Sequence, residues 1–342
     1  MKPCTGDISM TKPRIFVTRV IPEKGLEMVR READVEVWPD PLPPPRKALL
    51  QKVRGIDALL CLLTDKIDAP VMDAIGPQVK VISQMAVGFD NIDVAAATAR
   101  GIPVGNTPGV LTDTTADFAW ALLMAAARRV VESDKFTRAG KWKTWGPVDF
   151  LGPDVTGATL GIIGFGRIGQ GMAKRAQGFD MRILYYSRNR YPEAEQKYGA
   201  QYVDMDTLLS ESDFVSLHTT LSPETHHLMN DARLKRMKSS GILINTARGP
   251  VVDPAALYRA LASGTIAYAA LDVTEPEPIK PDDPLLALEN IILAPHIASA
   301  SFQTRTRMAT MAAENLIAGL KHERLPNCVN PEVYKKQRRC RL

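Results

Sequence analysis

The sequence is short of the features that mark several classes of protein. Its four cysteines, Cys4, Cys61, Cys328 and Cys340, are scattered, with no CxxC spacing and no histidine beside them. Neither a disulfide framework nor a zinc site follows, and a reducing compartment is expected. The longest apolar run, Phe118 to Ala127, is about half the roughly 20 residues that span a bilayer and reads as a buried helix. No signal peptide is visible at the N-terminus, and the residues before Met10 read as a disordered extension. Aromatic residues make up only 6% of the chain and the net charge is +5, so no aromatic-and-basic stripe marks a nucleic-acid surface. Part of that charge sits in Lys335-Lys336-Gln337-Arg338-Arg339, which reads as a solvated, frayed tail.

What is present is a globular composition, 45% hydrophobic and 24% charged, without low-complexity tracts or repeats. Its length allows two domains, each with its own core. The expected location is cytoplasmic. The alternative is peroxisomal, because Cys340-Arg341-Leu342 has the small–basic–Leu form of that address.

Short apolar runs alternate with helical stretches from Ile15 to Val104, with strands expected at 14–18, 34–37, 57–62, 79–83 and 102–104. A long helix is predicted from near Thr115 to about Ala139, after the polar cluster Thr112-Asp113-Thr114-Thr115. A second series follows, with strands at 159–163, 181–186, 213–217, 241–245, 267–271 and 290–293. This rhythm predicts an α/β protein with two Rossmann-like, doubly wound parallel-sheet domains and a cleft between them. The last predicted helix, 301–320, follows the second series and either extends it or packs back on the first domain, making that domain discontinuous.

The strand Thr159-Leu160-Gly161-Ile162-Ile163 runs directly into Gly164-Phe165-Gly166-Arg167-Ile168-Gly169 and then into a helical stretch. A dinucleotide site needs this order. Gly164 permits a tight turn, Gly166 lets backbone approach a pyrophosphate, and Gly169 lets the helix pack against the strand. The helix N-terminus then offers free N–H groups and partial positive charge. NAD-preferring sites end the second strand in an acid that holds the ribose 2′-hydroxyl. Here that strand ends in Ser187-Arg188-Asn189-Arg190, with two guanidinium groups and no acid. Arginine suits a 2′-phosphate, so NADP(H) is the expected cofactor, with some NAD use allowed.

Three further residues stand after predicted strand ends. Arg248, in Thr246-Ala247-Arg248-Gly249, is able to clamp a carboxylate and an adjacent carbonyl oxygen. Glu277 lies in the loop Asp272 to Pro278, and His296 follows Ile291 to Pro295. An acid beside an imidazole favours imidazolium and fixes its orientation. Taken alone, each has an ordinary alternative: a surface arginine, a solvated loop carboxylate, a structural histidine.

Together these segments resemble the D-isomer-specific 2-hydroxyacid dehydrogenase family, and within it the glyoxylate/hydroxypyruvate reductases. The resemblance runs from about Pro13 to Pro331. It is carried by Ala86 to Asp93, Asn106 to Asp113, Gly164 to Gly169, Asn245 to Gly249, Asp272 to Pro278 and Pro295 to Ala300. It implies a catalytic set of Arg248, Glu277 and His296, with Val87 and Gly88 binding the substrate carboxylate through backbone N–H groups. It also implies that Arg248 and His296 contact substrate. On the cofactor side it implies Arg167 and Ile168 at the pyrophosphate and Ser187, Arg188 and Arg190 at the 2′-phosphate. Asp272 is implied at the nicotinamide amide, Thr112 near the ring, and Thr246 among the cofactor contacts. It further implies a homodimer, in which Trp145 reaches the partner's active site or packs in the interface. The substrate domain would be residues 1–106 with 298–342, and the dinucleotide-binding domain 107–297. No metal, nucleic acid or membrane is expected. Two departures are His296-Ile297-Ala298, where the family usually has His-Ile-Gly, and Asp117 at a position where an acid is common.

The implied reaction is hydride transfer to a small 2-keto acid, giving glycolate or D-glycerate. Another D-2-hydroxyacid dehydrogenase, for D-lactate or phosphoglycerate, keeps the same fold. Apolar Leu62, Leu63 and Met85 suit a small side chain without choosing among such acids. A dinucleotide-sensing protein related to transcriptional co-repressors is the alternative from another class.

Overall fold

The computed structural model describes residues 12–335. The N-terminal extension, the tail beyond Lys335 and the tripeptide Cys340-Arg341-Leu342 lie outside the described residues. Two compact units divide the chain: Met1–Leu111 with Ser301–Leu342, and Thr112–Ala300.

The first unit holds five parallel strands, β1 (Arg14–Val17), β2 (Asp34–Val37), β3 (Ala58–Cys61), β4 (Val81–Gln84) and β5 (Val104–Gly105), in the order β2-β1-β3-β4-β5. β3 and β4 are buried along their whole length, as expected of central strands covered on both faces. Alternate strand residues feed two separate cores. Ile15, Val17 and Leu60 pack with Leu26, Met308 and Leu316 on one face; Phe16, Leu59 and Ile82 pack with Leu49, Val71 and Ile75 on the other.

The helix Phe302–Leu320 belongs to this unit although it follows the second series in the chain. Small residues make its docking possible. A Cβ on Gly25 would stand 2.8 Å from Ala309, and one on Gly319 would stand 2.4 Å from Val81. Ser83 Oγ donates to the Ala312 carbonyl at 2.8 Å. Buried Asn315 donates to the Asn106 carbonyl at 2.9 Å and accepts from the Asn327 N–H at 2.9 Å. Asn330 accepts from the Val104 N–H at 2.8 Å, so the segment after the helix closes the edge at β5.

The second unit holds seven parallel strands: β6 (Thr159–Ile163), β7 (Arg182–Tyr186), β8 (Ala200–Tyr202), β9 (Phe214–Leu217), β10 (Ile242–Asn245), β11 (Tyr268–Leu271) and β12 (Ile291–Leu293). Their order is β12-β11-β10-β9-β6-β7-β8. The chain therefore starts in mid-sheet, runs out to β8, and returns to β9 beside β6. That reversal between β6 and β9 is the switch point at which doubly wound sheets bind ligands. Two Rossmann-like parallel sheets, as the sequence predicts, make up the fold.

Two sequence expectations require correction. The long helix is two helices, Thr112–Ala127 and Val130–Arg138. The break falls where Arg129 is left-handed (φ 50°), with its Nε 2.5 Å from Glu132 Oε2 and its guanidinium over the Phe150 ring. Neither glycine nor proline marks that break, so local sequence gives no stop signal. The helix Pro192–Tyr198 and strand β8 were not predicted. Both are short and largely polar on one side, and β8 is an edge strand whose pairing with β7 supplies the order. Among the described residues no helix is long and apolar enough to cross a membrane.

Candidate active site

The glycine run behaves as its chemistry requires. Gly164 follows β6 with φ 93°, and a Cβ there would lie 2.6 Å from the His218 carbonyl, just after β9. A Cβ on Gly169 would lie 2.2 Å from the Gly164 carbonyl oxygen. Those two glycines are dictated by the protein's own packing. Gly166 is different: a Cβ there would meet nothing within 4 Å. It caps the helix Arg167–Gln177 without any side-chain hydrogen bond, which leaves the first N–H groups facing open space. Such an end binds anions. Arg167 is exposed and Ile168 half-buried at this helix start. Arg167 and Thr112 line one surface cavity of about 430 Å³, together with Lys174 and Lys197.

At the end of β7 the two arginines differ. Arg190 makes a bidentate pair with Glu195, at 2.8 and 2.9 Å. The guanidinium holds the Glu195 carboxyl below its usual range, and Tyr185 donates to the same carboxylate at 2.6 Å. Burial, helped by Glu195, pushes the Tyr185 phenol up to about 12. Arg188 is exposed and has no hydrogen bond among the described residues. Ser187 is half-buried between β7 and this pair.

The remaining residues of this unit gather at the ends of three adjacent strands. Arg248 lies three residues beyond β10, Asp272 one beyond β11, Glu277 six beyond β11, and His296 three beyond β12. Because the strands are parallel neighbours, all four stand on the same sheet edge as Gly164. His296 is left-handed (φ 56°), and its N–H donates to the Asp272 carbonyl at 2.9 Å. Its Nδ1 lies 2.5 Å from Glu277 Oε1. Of the three residues implied to be catalytic, two are therefore in direct contact.

Asp272 fixes what surrounds them. It is buried, and its two carboxylate oxygens accept from the Ile297 N–H at 2.7 Å and the Ala298 N–H at 2.8 Å. Burial raises its pKa, an effect those N–H groups oppose. The contact is made by backbone N–H groups, one of which alanine at 298 supplies. Arg248 is half-buried in a loop clamped by Asn245, whose side chain donates to the Arg248 carbonyl and accepts from the Ala247 N–H, each at 2.9 Å. A Cβ on Gly249 would lie 1.8 Å from the Thr274 carbonyl, so only glycine lets this loop meet the loop carrying Glu277. The sequence reading missed Asn245 and Gly249 as positioning residues. Their signal exists only in tertiary contact. The Thr246 hydroxyl is buried with no hydrogen-bond partner among the described residues.

In the first unit, Val87 and Gly88 follow β4. Their carbonyls are tied by Asn106 and Gln84 side chains at 2.8 and 2.7 Å. Neither N–H finds an acceptor among the described residues. Trp145 is 78% exposed, in a segment that also exposes Trp142, Val148 and Leu151.

A doubly wound sheet with a glycine cradle at its switch point and an imidazole–carboxylate pair on the same edge defines a dinucleotide-binding class of protein. The family model described as "D-isomer specific 2-hydroxyacid dehydrogenase, NAD binding domain" matches residues 120–298. A glyoxylate reductase of Korarchaeum cryptofilum is 58% identical over 325 residues, covering 95% of this chain and 98% of that one. Among solved structures, a protein of Thermus thermophilus is 48% identical with a TM-score of 0.88, covering 92% of this chain and 99% of that one. An NADPH-dependent glyoxylate/hydroxypyruvate reductase of Sinorhizobium meliloti, solved with NADP and malonate, is 32% identical with a TM-score of 0.83, covering 93% and 97%. The chain belongs to the D-isomer-specific 2-hydroxyacid dehydrogenase family. It is an oxidoreductase that uses a nicotinamide dinucleotide and a small keto or hydroxy acid.

Proposed function

We propose that the protein is a cytoplasmic, homodimeric glyoxylate or hydroxypyruvate reductase that prefers NADPH and forms glycolate or D-glycerate. The observation that carries the reading is the His296–Glu277 pair, held by Asp272 on the sheet edge that also bears the glycine cradle. The names of the relatives support the substrate.

The residues present fit a bound dinucleotide. The open approach at Gly166 and the uncapped helix behind it accommodate a pyrophosphate, with Arg167 and Ile168 over it. The partnerless Thr246 hydroxyl suits a polar group of the cofactor. Asp272 keeps acceptor capacity beyond its two backbone bonds for the nicotinamide amide, with Thr112 near the ring. Arg188 is the principal contact for a 2′-phosphate, assisted by Ser187. Arg190 contributes less, because reaching the phosphate breaks its pair with Glu195. When bound, the cofactor supplies the hydride.

The protein's residues do the rest. Arg248 holds the substrate carboxylate and polarises the keto oxygen; the N–H groups of Val87 and Gly88, which find no acceptor among the described residues, suit a carboxylate as well. His296, kept in orientation by Glu277, donates a proton to that oxygen and in the reverse direction accepts it. The exposed apolar segment around Trp145 supports dimerisation. The free thiols Cys61 and Cys328 suit a reducing compartment.

The test is steady-state loss of the reduced-nicotinamide absorbance with NADPH or NADH and a panel of keto acids. Glyoxylate and hydroxypyruvate should turn over fastest with NADPH, ahead of pyruvate and phosphohydroxypyruvate. Absence of turnover on every acid with both cofactors would overturn the enzyme reading; a faster rate on pyruvate would replace only the substrate.

A further inference from the structure

Outside the residues assigned above, one cluster brings together three groups of metal-binding chemistry. His226, His227 and Glu275 place one ligand atom each within 4.8 Å of one another. Their positions are built rather than accidental. His227 is left-handed (φ 49°) and its N–H donates to the Pro250 carbonyl at 2.7 Å, which anchors the turn after Ser222. That conformation lays the two adjacent imidazoles side by side, ring centroids 4.0 Å apart and planes 28° from parallel. Both Nε2 atoms face one carboxylate: His227 lies 2.7 Å from Glu275 Oε2 and His226 lies 3.8 Å from Glu275 Oε1. A hydrogen-bonded ion pair needs only one of these rings. The second imidazole has no hydrogen bond among the described residues and still points at the free carboxylate oxygen.

We propose that His226, His227 and Glu275 form a site for a divalent transition metal, zinc or cobalt in particular. Two imidazoles and one carboxylate are the donor set of a three-ligand zinc centre with one open position. Tetrahedral coordination at about 2.0–2.2 Å brings donor atoms to about 3.4 Å from one another. The two observed spacings, 2.7 and 3.8 Å, bracket this value, and all three donor atoms lie within 4.8 Å of one another. Imidazole donors favour zinc, cobalt or nickel over magnesium and calcium, which select all-oxygen sites. The consequence is structural. Glu275 lies on the loop that carries Glu277, while the histidines lie on a separate turn, so a bound ion ties that loop to the turn. The site does not depend on which keto acid, or which dinucleotide, the protein uses.

The experiment titrates Co²⁺ into the full chain and follows its visible d–d absorption, with Zn²⁺ titrated in parallel by calorimetry. One equivalent per chain should bind, with the intense bands of a low-coordinate nitrogen–oxygen site. Removing a ligand by His226→Ala or Glu275→Gln should weaken binding by at least the about 10–100-fold that losing an outer-shell partner costs. His226 is half exposed, so His226→Ala should leave the metal-free Tm unchanged while abolishing the rise in Tm that Zn²⁺ gives the unsubstituted chain. No cobalt bands overturns the proposal. So does equal binding by His226→Ala and the unsubstituted chain, which places the ion on thiols or other surface groups.

Discussion

The cofactor cradle and the strand-end cluster of the unit Thr112–Ala300 occupy one sheet edge but are made of different material. The cradle is backbone: Gly164, Gly166 and Gly169 matter for the side chains they do not have, and all lie within six consecutive residues. The cluster is side-chain chemistry from three strands, with Arg248, Glu277 and His296 separated by long stretches of chain. One is a local device that any strand–turn–helix with the same glycines reproduces. The other exists only because β10, β11 and β12 are parallel neighbours. Substitutions in the cradle therefore act through packing and approach, whereas substitutions in the cluster act through protons and charge.

The largest effect expected from breaking this division is at His296. Positioned acid–base catalysis typically contributes about 10²–10⁴-fold, so His296→Ala should lower kcat by that factor with little change in Tm. Glu277→Gln should give a smaller loss of kcat, because the amide can still hydrogen-bond the imidazole and hold its orientation but carries no charge. Rates near those of the unsubstituted protein for His296→Ala would dissolve the comparison.

Next in size is the contrast inside the 2′-phosphate strand end. Charge-assisted hydrogen bonds contribute about 1.5–3 kcal/mol, so Arg188→Ala should raise KM for NADPH by about 10–100-fold and leave NADH almost unaffected. Arg190→Ala should raise it less, because that guanidinium already serves Glu195. Equal losses for the two cofactors would count against the assignment, and the ratio of kcat/KM values measures it directly.

The cradle itself separates into packing and approach. Gly169→Ala forces a methyl to 2.2 Å from the Gly164 carbonyl and should cost about 1–3 kcal/mol, read from chemical denaturation. Gly166→Ala meets no protein atom and should leave stability unchanged while weakening dinucleotide binding. If both substitutions proved equally destabilising, the open approach at Gly166 would not exist.

At neutral pH the smallest effect is expected at His218, at the switch point. Burial holds its imidazole down to about 3 from an ordinary value of 6.5, and Ser216 Oγ lies 2.8 Å from its Nε2. Unfolded chains take up a proton near 6.5 that the native state refuses until about 3. Stability should therefore fall as pH drops through that window and be indifferent to this residue above it. His218→Asn should flatten the decline of Tm with pH between those limits; an unchanged slope would show that other groups cause it.

How much of this was legible varied with how local each feature is. The strand 159–163 and the glycines after it were readable because one short segment carries both the strand and its turn. The end of the helix Thr112–Ala127 was not, because Arg129 adopts its left-handed turn under contacts from Glu132 and Phe150. Strand β8 was missed because three residues carry no period, and its identity rests on pairing with β7. Among site residues, His296 and Glu277 were ambiguous as isolated letters and gained a role through resemblance; their contact is a property of the folded loops. Gly249 gave no local hint, since the atom that excludes a side chain there belongs to Thr274.

The alternation of strand and helix, the anion-binding cradle and the absence of an acid at the end of β7 are all written locally in the sequence. These are decided by residues close in the chain, through period, glycine freedom and charge. Tertiary structure alone decided that Arg190 is already paired, that Asp272 braces the backbone after His296, and that two neighbouring histidines meet Glu275. Those outcomes depend on strand order and loop conformation, which bring together atoms whose separation along the chain carries no information about their distance in space.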